Sequence, residues 1–276
     1  MRKAILFIAI LVLLSAGCSR SPYVIVQIAD AQLGFTAADR CQREGTEYVN
    51  DMTYEVECLS RAVEYVNSIS PDVVIFTGDQ VNQAGNVEQW EKFSELVSGI
   101  SPSVKVFHLP GNHDVRSGNA KVDSSPFTSR YGSDRFIHSE KGVNLIGINT
   151  NLIKESDSLE MNQIQWLKDS MEKIEDKEIS LLFGHHPFFL TDIDEPDSYF
   201  PIMKDKRRFY LDLCDSLGID AIYAGHRHDS FDAEYAGIPV KTTTSVAFQI
   251  GKSKPSVRVI RITDGQMADE LVEIFF

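Results

Sequence analysis

The sequence predicts a layered α/β domain with two sheets, and three observations carry that prediction. Short apolar runs alternate with helical stretches from residue 23 onward. Several runs are apolar throughout, as strands buried on both faces are. After residue 228 the helical stretches stop, and short segments separated by AG, GK and DG turns form a β meander. A chain of 276 residues suits one large domain. Its 43% hydrophobic and 24% charged composition is that of a globular protein.

Taken in order, the chain opens with MRKAILFIAILVLLSAGC. Arg2 and Lys3, an apolar run over 4–14, small residues and Cys18 give the pattern of a secretory signal. The run is shorter than the roughly 20 residues a spanning helix needs. LSAGC at 14–18 resembles a bacterial lipobox, with Ser15 where an aliphatic residue is usual. That resemblance implies that Cys18 becomes the lipidated first residue of the mature protein. Ser19 after it favours the outer membrane over the inner one. The expected organisation is a signal over 1–17, a lipid-anchored linker over 18–22 and a folded domain over 23–276. The protein is then exported and anchored, facing the periplasm.

The folded part starts with YVIVQIA from Tyr23. Further strands are expected at 72–77 (DVVIFT), 104–109 (VKVFHL), 143–149 (VNLIGIN), 179–183 (ISLLF) and 220–224 (DAIYA). Helices are expected over about 53–68, 87–98, 161–175 and 204–217. Later strands are expected at 234–235, 238–243, 245–250, 256–262 and 267–275. The formal net charge is −13, and no long basic stretch exists. Nucleic acid is therefore excluded as a natural partner. Cys41, Cys58 and Cys214 follow no zinc spacing. Cys41 and Cys58 are open to pairing in an oxidising compartment, and the chemistry is not expected to need a cysteine.

Function is carried by the residues at which the strands end. Five strands release Asp, Asn, Gln or His at their carboxyl ends: IADAQ, GDQVN, PGNHD, GHHP and GHRH. In open α/β sheets ligands bind outside those ends. Glycine precedes the polar residue in four of the five; it permits a sharp turn and close approach. The joint set is Asp30, Gln32, Asp79, Asn112, His185, His226 and His228. Two carboxylates, two amides and three imidazoles are too many for one divalent ion, and calcium sites avoid imidazole. Two ions sharing a carboxylate, about 3.5–4 Å apart, would clamp the attacking and leaving oxygens of a phosphoryl displacement.

D-x-Q, G-D-x-x-N, G-N-H-D, G-H-H-P and G-H-x-H, in that order, resemble the signature of the calcineurin-like metallophosphoesterases. The usual first motif there is D-x-H. The subgroup of calcineurin-like phosphoesterase domain-containing protein 1 is similar in reading A-D-x-Q-x-G. It is also similar at IDEPDSYF (193–200) and QIGK (249–252). The resemblance implies an α/β/β/α sandwich of two mixed sheets flanked by helices. It implies a first metal on Asp30, Gln32, Asp79 and His228, and a second on Asp79, Asn112, His185 and His226. His113 would protonate the leaving oxygen, with Asp114 orienting it. A bridging hydroxide would attack phosphorus, and the cationic pocket would attract a phosphorylated substrate. The amide oxygen of Gln32 is a harder, weaker donor than imidazole. It therefore favours Mn²⁺, Mg²⁺ or Fe over zinc at the first site.

The implied activity is phosphoric ester hydrolysis, of phosphomonoesters including phosphoserine and phosphothreonine. Diesterase activity on nucleotides or cyclic nucleotides is the alternative within the class. A non-catalytic phosphate-binding lipoprotein is the alternative outside it, although mere binding needs no proton donor such as His113. His186 is expected to be a spacer, and His108 and His138 to serve packing or solvent contact. The acidic stretch 191–198 is expected to be a solvated loop or an entrance lip. The insertion 35–50 is a second candidate lip, with Arg40 and Arg43 available for phosphate.

Overall fold

The computed structural model describes residues 21–175 and 178–274. The expected signal and Cys18 lie outside them. Among the described residues no helix is long and apolar enough to cross a membrane.

One sheet contains β1 (Tyr23–Ile28), β2 (Val73–Thr77), β3 (Lys105–Leu109), β12 (Ser256–Thr263) and β13 (Gln266–Glu273), in the order 13-12-1-2-3. The other contains β6 (Phe136–Glu140), β7 (Val143–Gly147), β8 (Ile179–Phe183), β9 (Ala221–Ala224), β10 (Phe231–Tyr235) and β11 (Ile238–Thr242), in the order 10-11-9-8-7-6. Strands β1, β2 and β3 run parallel, as do β7, β8 and β9, so their carboxyl ends finish at one edge of each sheet.

Side-chain alternation along each strand builds three packed layers. Tyr23 and Ile25 of β1 face the other sheet and join Val73, Ile75, Leu181, Phe183 and Tyr223 in the core between sheets. Val26 and Ile28 face the opposite way. They pack on Leu59 and Val66 of α2 (Thr53–Ile69) and on Trp90 and Phe93 of α3 (Val87–Val97). On the far side, Leu182 and Ile222 pack against α6 (Glu160–Glu172) and α7 (Lys204–Ser216). Helices, sheet, sheet, helices is the expected sandwich.

The single C-terminal meander is corrected. Strands β10 and β11 extend one sheet, while the β12–β13 hairpin extends the other beside β1. No strand forms at 245–250. That segment commits its polar groups to the loops carrying the first and last motifs instead of a ladder. Val246 N–H donates to the Ala29 carbonyl at 2.9 Å, and the Ser245 hydroxyl donates to the Asp30 carbonyl at 2.7 Å.

Several short elements escaped the sequence patterns. They are α1 (Phe35–Glu44), the ribbon of β4 (Arg116–Gly118) and β5 (Lys121–Asp123), α4 (Ser125–Tyr131), α5 (Thr150–Lys154) and β6. Each is too short or too polar to show a clear period.

Candidate metal centre

All seven expected ligands gather where the two sheets meet at their carboxyl edge. Asp30 N–H donates to the Gly78 carbonyl at 3.2 Å, and Gln32 N–H donates to the Asp79 carbonyl at 2.7 Å. The first two motifs are thus tied to each other. His226 N–H donates to both Asp30 carboxylate oxygens, at 3.1 and 2.9 Å, which ties the second sheet to the first. Ligand atoms of Asp30, Asp79 and His228 lie within 4.8 Å of one another. So do those of His185, His186 and His226. His185 Nε2 lies 3.3 Å from Asp79 Oδ2, 3.0 Å from Asn112 Oδ1 and 3.1 Å from His226 Nδ1.

Five of these residues hold left-handed backbone conformations: Asp30 (φ 54°), Gln32 (42°), Asp79 (48°), His226 (69°) and His228 (53°). Such conformations cost on the order of 1 kcal/mol or more each and persist only where the surroundings enforce them. Here they fall at the loop positions that carry the candidate ligands. Close packing leaves no room for side chains at the motif glycines. A Cβ on Gly78 would come within 2.4 Å of His185 Nδ1, and one on Gly111 within 2.1 Å of Asp79 Oδ1.

Backbone carbonyls select the imidazole tautomers. His185 Nδ1–H donates to the Thr77 carbonyl at 2.9 Å, and His228 Nδ1–H to the Phe248 carbonyl at 2.7 Å. In the neutral ring the Nε2 lone pair then faces inward, which is how a metal-ligating histidine is oriented by its outer partner. Burial lowers the His228 pKa to about 4. It holds His226 well below the ordinary value too, helped by the charge of His185. Burial and the charge of Asp79 push Asp30 up to about 8, against the pull of His185. Burial opposes the charge on Asp79, but His185 and His113 outweigh it and hold the carboxyl below the usual carboxylate range. Burial opposes a charged His185 as well, yet Asp79 overrides it and raises the imidazole to about 9. Without cations, therefore, the two acids compete for one imidazolium.

Divalent ions would relieve that competition, and the donor set fits them. The carbonyl oxygen of Gln32 is buried and finds no hydrogen-bond partner among the described residues. A buried orphan acceptor is costly, and a neutral oxygen donor on the loop that is tied to Asp79 through its backbone has the character of a ligand. Asp30, Gln32, Asp79 and His228 would hold one ion. Asp79, Asn112, His185 and His226 would hold the other.

His113 is half-exposed at the mouth of this cluster. Its Nδ1–H donates to the Asn82 carbonyl at 2.8 Å, which leaves the hydrogen-bonding capacity of Nε2 uncommitted by that contact. The expected orienting role of Asp114 is corrected. Its fully buried carboxylate points away and accepts from the backbone N–H groups of Gln80, Val81 and Gly111 at 2.9, 3.2 and 2.8 Å. It also accepts from the Gln80 side chain at 3.1 Å. Asp114 clamps the GDQVN and GNHD loops together, and Asn82 supplies the contact to the imidazole. His186 lies deeper than a spacer would. Its ring is 4.4 Å from that of His226 and its Nδ1 is 3.2 Å from Thr150 Oγ1. His108 packs between Phe76 and Tyr131, and His138 beside Phe107.

Two aromatic walls flank the centre. Phe35, the first residue of α1, lies 6.0 Å from His113 and 5.8 Å from His228, with Phe248 beside it at 4.9 Å. Tyr199 and Phe200 lie 5.1 and 5.6 Å from His226. Arg40 and Arg43 pair with Asp51 and Asp39 on the protein surface, so of the 35–50 segment it is Phe35 that reaches the site. The acidic stretch at 191–198 is ordered around a cation. Arg207, fully buried, donates to the carbonyls of Ile193, Glu195 and Ile202 at 3.0, 2.7 and 2.8 Å. A cavity of about 570 Å³ opens at the opposite ends of the strands, beside Tyr23, Lys141, Glu178 and Asp264. It shares no residue with the cluster described above.

The fold and the cluster of candidate ligands are those of a metal-dependent phosphoric ester hydrolase. The chain belongs to the calcineurin-like phosphoesterase family, whose profile matches residues 23–230. It is similar to the mouse serine/threonine-protein phosphatase CPPED1, 26% identical over 271 residues, covering 93% of this chain and 84% of that one. It is also similar to a probable glycerophosphodiester phosphodiesterase, GpdQ, of Arcobacter nitrofigilis. That match is 27% identical over 202 residues, 70% of this chain and 71% of the other. Among solved structures, a dimetal phosphatase from Danio rerio shares the fold with a TM-score of 0.62 at 16% identity, covering 92% of this chain and all of that one.

Proposed function

We propose that this enzyme hydrolyses phosphomonoesters of the phosphoserine or phosphothreonine kind at a dinuclear centre. When bound, two divalent ions would supply Lewis acidity and a water of lowered pKa. The protein's own residues do the rest. The carboxylates and imidazoles fix the positions of the ions, and the buried floor of the cluster excludes bulk water from one side. His113 holds a proton at Nε2 and delivers it to the departing ester oxygen, while the Asn82 carbonyl keeps the ring from rotating. The observation that carries the reading is a half-buried imidazole, His113, held by the Asn82 carbonyl beside the cluster of candidate ligands, where it would act as a proton donor. A site built only to retain phosphate has no use for it.

Gln32 supports Mn²⁺, Mg²⁺ or Fe at the first position, since its carbonyl oxygen is a harder donor than the imidazole it stands in for. The N-terminal pattern supports export and anchoring through Cys18, which would direct the enzyme to envelope or scavenged phosphoesters. The likeness to CPPED1 over nearly the whole chain supports monoesters; the likeness to GpdQ makes diesters the rival.

The test is a panel of phosphopeptides, simple monoesters, and glycerophosphodiesters or cyclic nucleotides, each with added Mn²⁺. Monoester turnover is expected to disappear on chelation. In His113→Ala, kcat is expected to fall by about 10²–10⁴ with metal content unchanged. Diester turnover far above monoester turnover would overturn the substrate class. Full activity in His113→Ala would overturn the mechanism.

A further inference from the structure

The Tyr199–Phe200 wall contains a polar group that the metal cluster does not use. Asn112 turns its Oδ1 toward His185 and its Nδ2 outward, where Nδ2 donates to the Tyr199 hydroxyl oxygen at 3.3 Å. The phenol oxygen is therefore an acceptor in that contact. Its own proton finds no acceptor among the described residues. Tyr199 is also 63% exposed, so that proton faces open space beside the ligands.

The position is built to be held. Lys154 Nζ donates to the carbonyls of Ser198 and Pro201 at 3.1 and 2.6 Å, bracketing the two aromatic residues. The Lys204 N–H donates to Asp197 at 2.6 Å. Buried Arg207 fixes the stretch before and after by its three carbonyl contacts. Phe200 is clamped from outside by the Arg227 guanidinium, 4.5 Å from its ring. An exposed tyrosine on so constrained a turn loses little further entropy when a ligand arrives. The facing wall, Phe35 and Phe248, is apolar.

We propose that Tyr199 is a substrate-contacting residue: its hydroxyl donates a hydrogen bond to a phosphoryl oxygen of the ester bound at the metal centre. The proposal rests on the phosphoesterase reading. It gives the Asn112 amide two jobs: its oxygen faces the metal position, and its nitrogen polarises the phenol that grips the substrate. No atom of Tyr199 is consumed; it supplies a neutral donor to an anionic oxygen, the stronger kind of hydrogen bond.

Tyr199→Phe removes the hydroxyl and keeps the ring against His226. The first measurement is calorimetric binding of inorganic phosphate to the Mn²⁺-loaded protein, with bound metal counted by elemental analysis. Phosphate affinity is expected to weaken about tenfold, the effect of losing one hydrogen bond to a charged group, with the metal count unchanged. The tyrosine ultraviolet difference signal that phosphate induces in the wild type is expected to vanish. A loss of affinity smaller than threefold overturns the proposal. Loss of a metal from Tyr199→Phe also overturns it, because the hydroxyl would then serve to hold Asn112. If the wild type binds phosphate but cleaves no ester, the hydrolase reading fails while the phosphate measurement still judges Tyr199.

Discussion

Gly111→Ala adds one methyl group beneath the Asp79 carboxylate, and its consequences follow from distances. The new Cβ would lie 2.1 Å from Asp79 Oδ1 and 2.3 Å from the Asp79 backbone nitrogen. Ordinary contact begins near 3.4 Å, so the oxygen must retreat by about 1.3 Å. It cannot retreat freely, because Oδ1 accepts from His113 N–H at 2.8 Å and the loop is clamped through Gly111 N–H to Asp114 at 2.8 Å. A displacement near 1 Å at a reacting centre costs about 10²-fold in rate. Overpacking of this kind costs about 1–3 kcal/mol in stability.

The backbone at Gly111 is not in the left-handed region, so alanine meets no conformational penalty there. By chain entropy alone the substitution would stabilise the protein by about 0.4–1 kcal/mol. The two expectations thus have opposite signs. Purified Gly111→Ala is assayed for bound metal by elemental analysis, for kcat/KM with a monoester, and for melting temperature. Gly85→Ala serves as control, because its nearest neighbour is the Arg116 side chain at 3.7 Å. Reduced metal content and at least a hundredfold loss of kcat/KM are expected for Gly111→Ala, and wild-type behaviour for the control. Two metals per chain with undiminished kcat/KM in Gly111→Ala would refute the placement of Asp79 between the ions.

Gln32→His substitutes a softer donor for an amide at a φ of 42° that histidine tolerates, and is expected to tighten Zn²⁺ binding at the first position; competition titrations showing no change in metal preference would count against Gln32 as a ligand. Loading the chelated protein with metal at a hundred times Kd is expected to add about 2.7 kcal/mol of stability, seen as a rise in melting temperature of about 5 °C or more. Arg207→Ala is expected to cost about 3 kcal/mol and to expose residues 190–203 to limited proteolysis; an unchanged digestion pattern would show that the lip stands without its buried cation. Burial pushes the Cys58 and Cys214 thiols up to about 12, so neither is expected to react with iodoacetamide at pH 8 until the chain unfolds, and peptide mapping of labelled native protein checks it.

How much of this was legible in the sequence depended on whether a side chain or the backbone did the work. Asp30, Asp79, Asn112, His185, His226 and His228 were readable because a polar residue directly after an apolar strand has few structural reasons to be there. Gln32 was readable from the same position, and its unpartnered oxygen gives that reading a physical basis. The groups that orient the imidazoles were not readable, because the carbonyls of Thr77, Asn82 and Phe248 carry no residue-type signal. That is why the family resemblance pointed to the carboxylate of Asp114 when the partner of His113 was a peptide oxygen. Arg207 sits in KDKRRFY, a run that looks like a solvated helix face, and only packing shows it to be the buried centre of the acidic loop. The C-terminal hairpins were visible as strands. Which sheet each joined was not, because that depends on the free edges of strands far away in sequence.

The inter-sheet contacts explain why a site of this kind can stay in register. The ligands come from two separate sheets, and sheets that slide by one residue would scatter them. Beneath the cluster, Gln27 of β1 donates to Thr77 Oγ1 and to the Ala224 carbonyl, both at 3.0 Å, and accepts from Thr243 Oγ1 at 2.7 Å. One buried side chain thus joins the last residues of β2 and β9 and the residue after β11. Arg258 of β12 extends the network, donating to Thr243 Oγ1 at 2.8 Å and pairing with Asp269. These polar groups lie in a layer that is otherwise apolar, and an aliphatic core would hold the sheets together at least as well. What an aliphatic core would not fix is the level at which the strands end. A fully satisfied polar network specifies one alignment, and here it sits directly under the residues whose relative heights decide whether Asp30, Asp79, His185 and His226 can reach the same pair of ions.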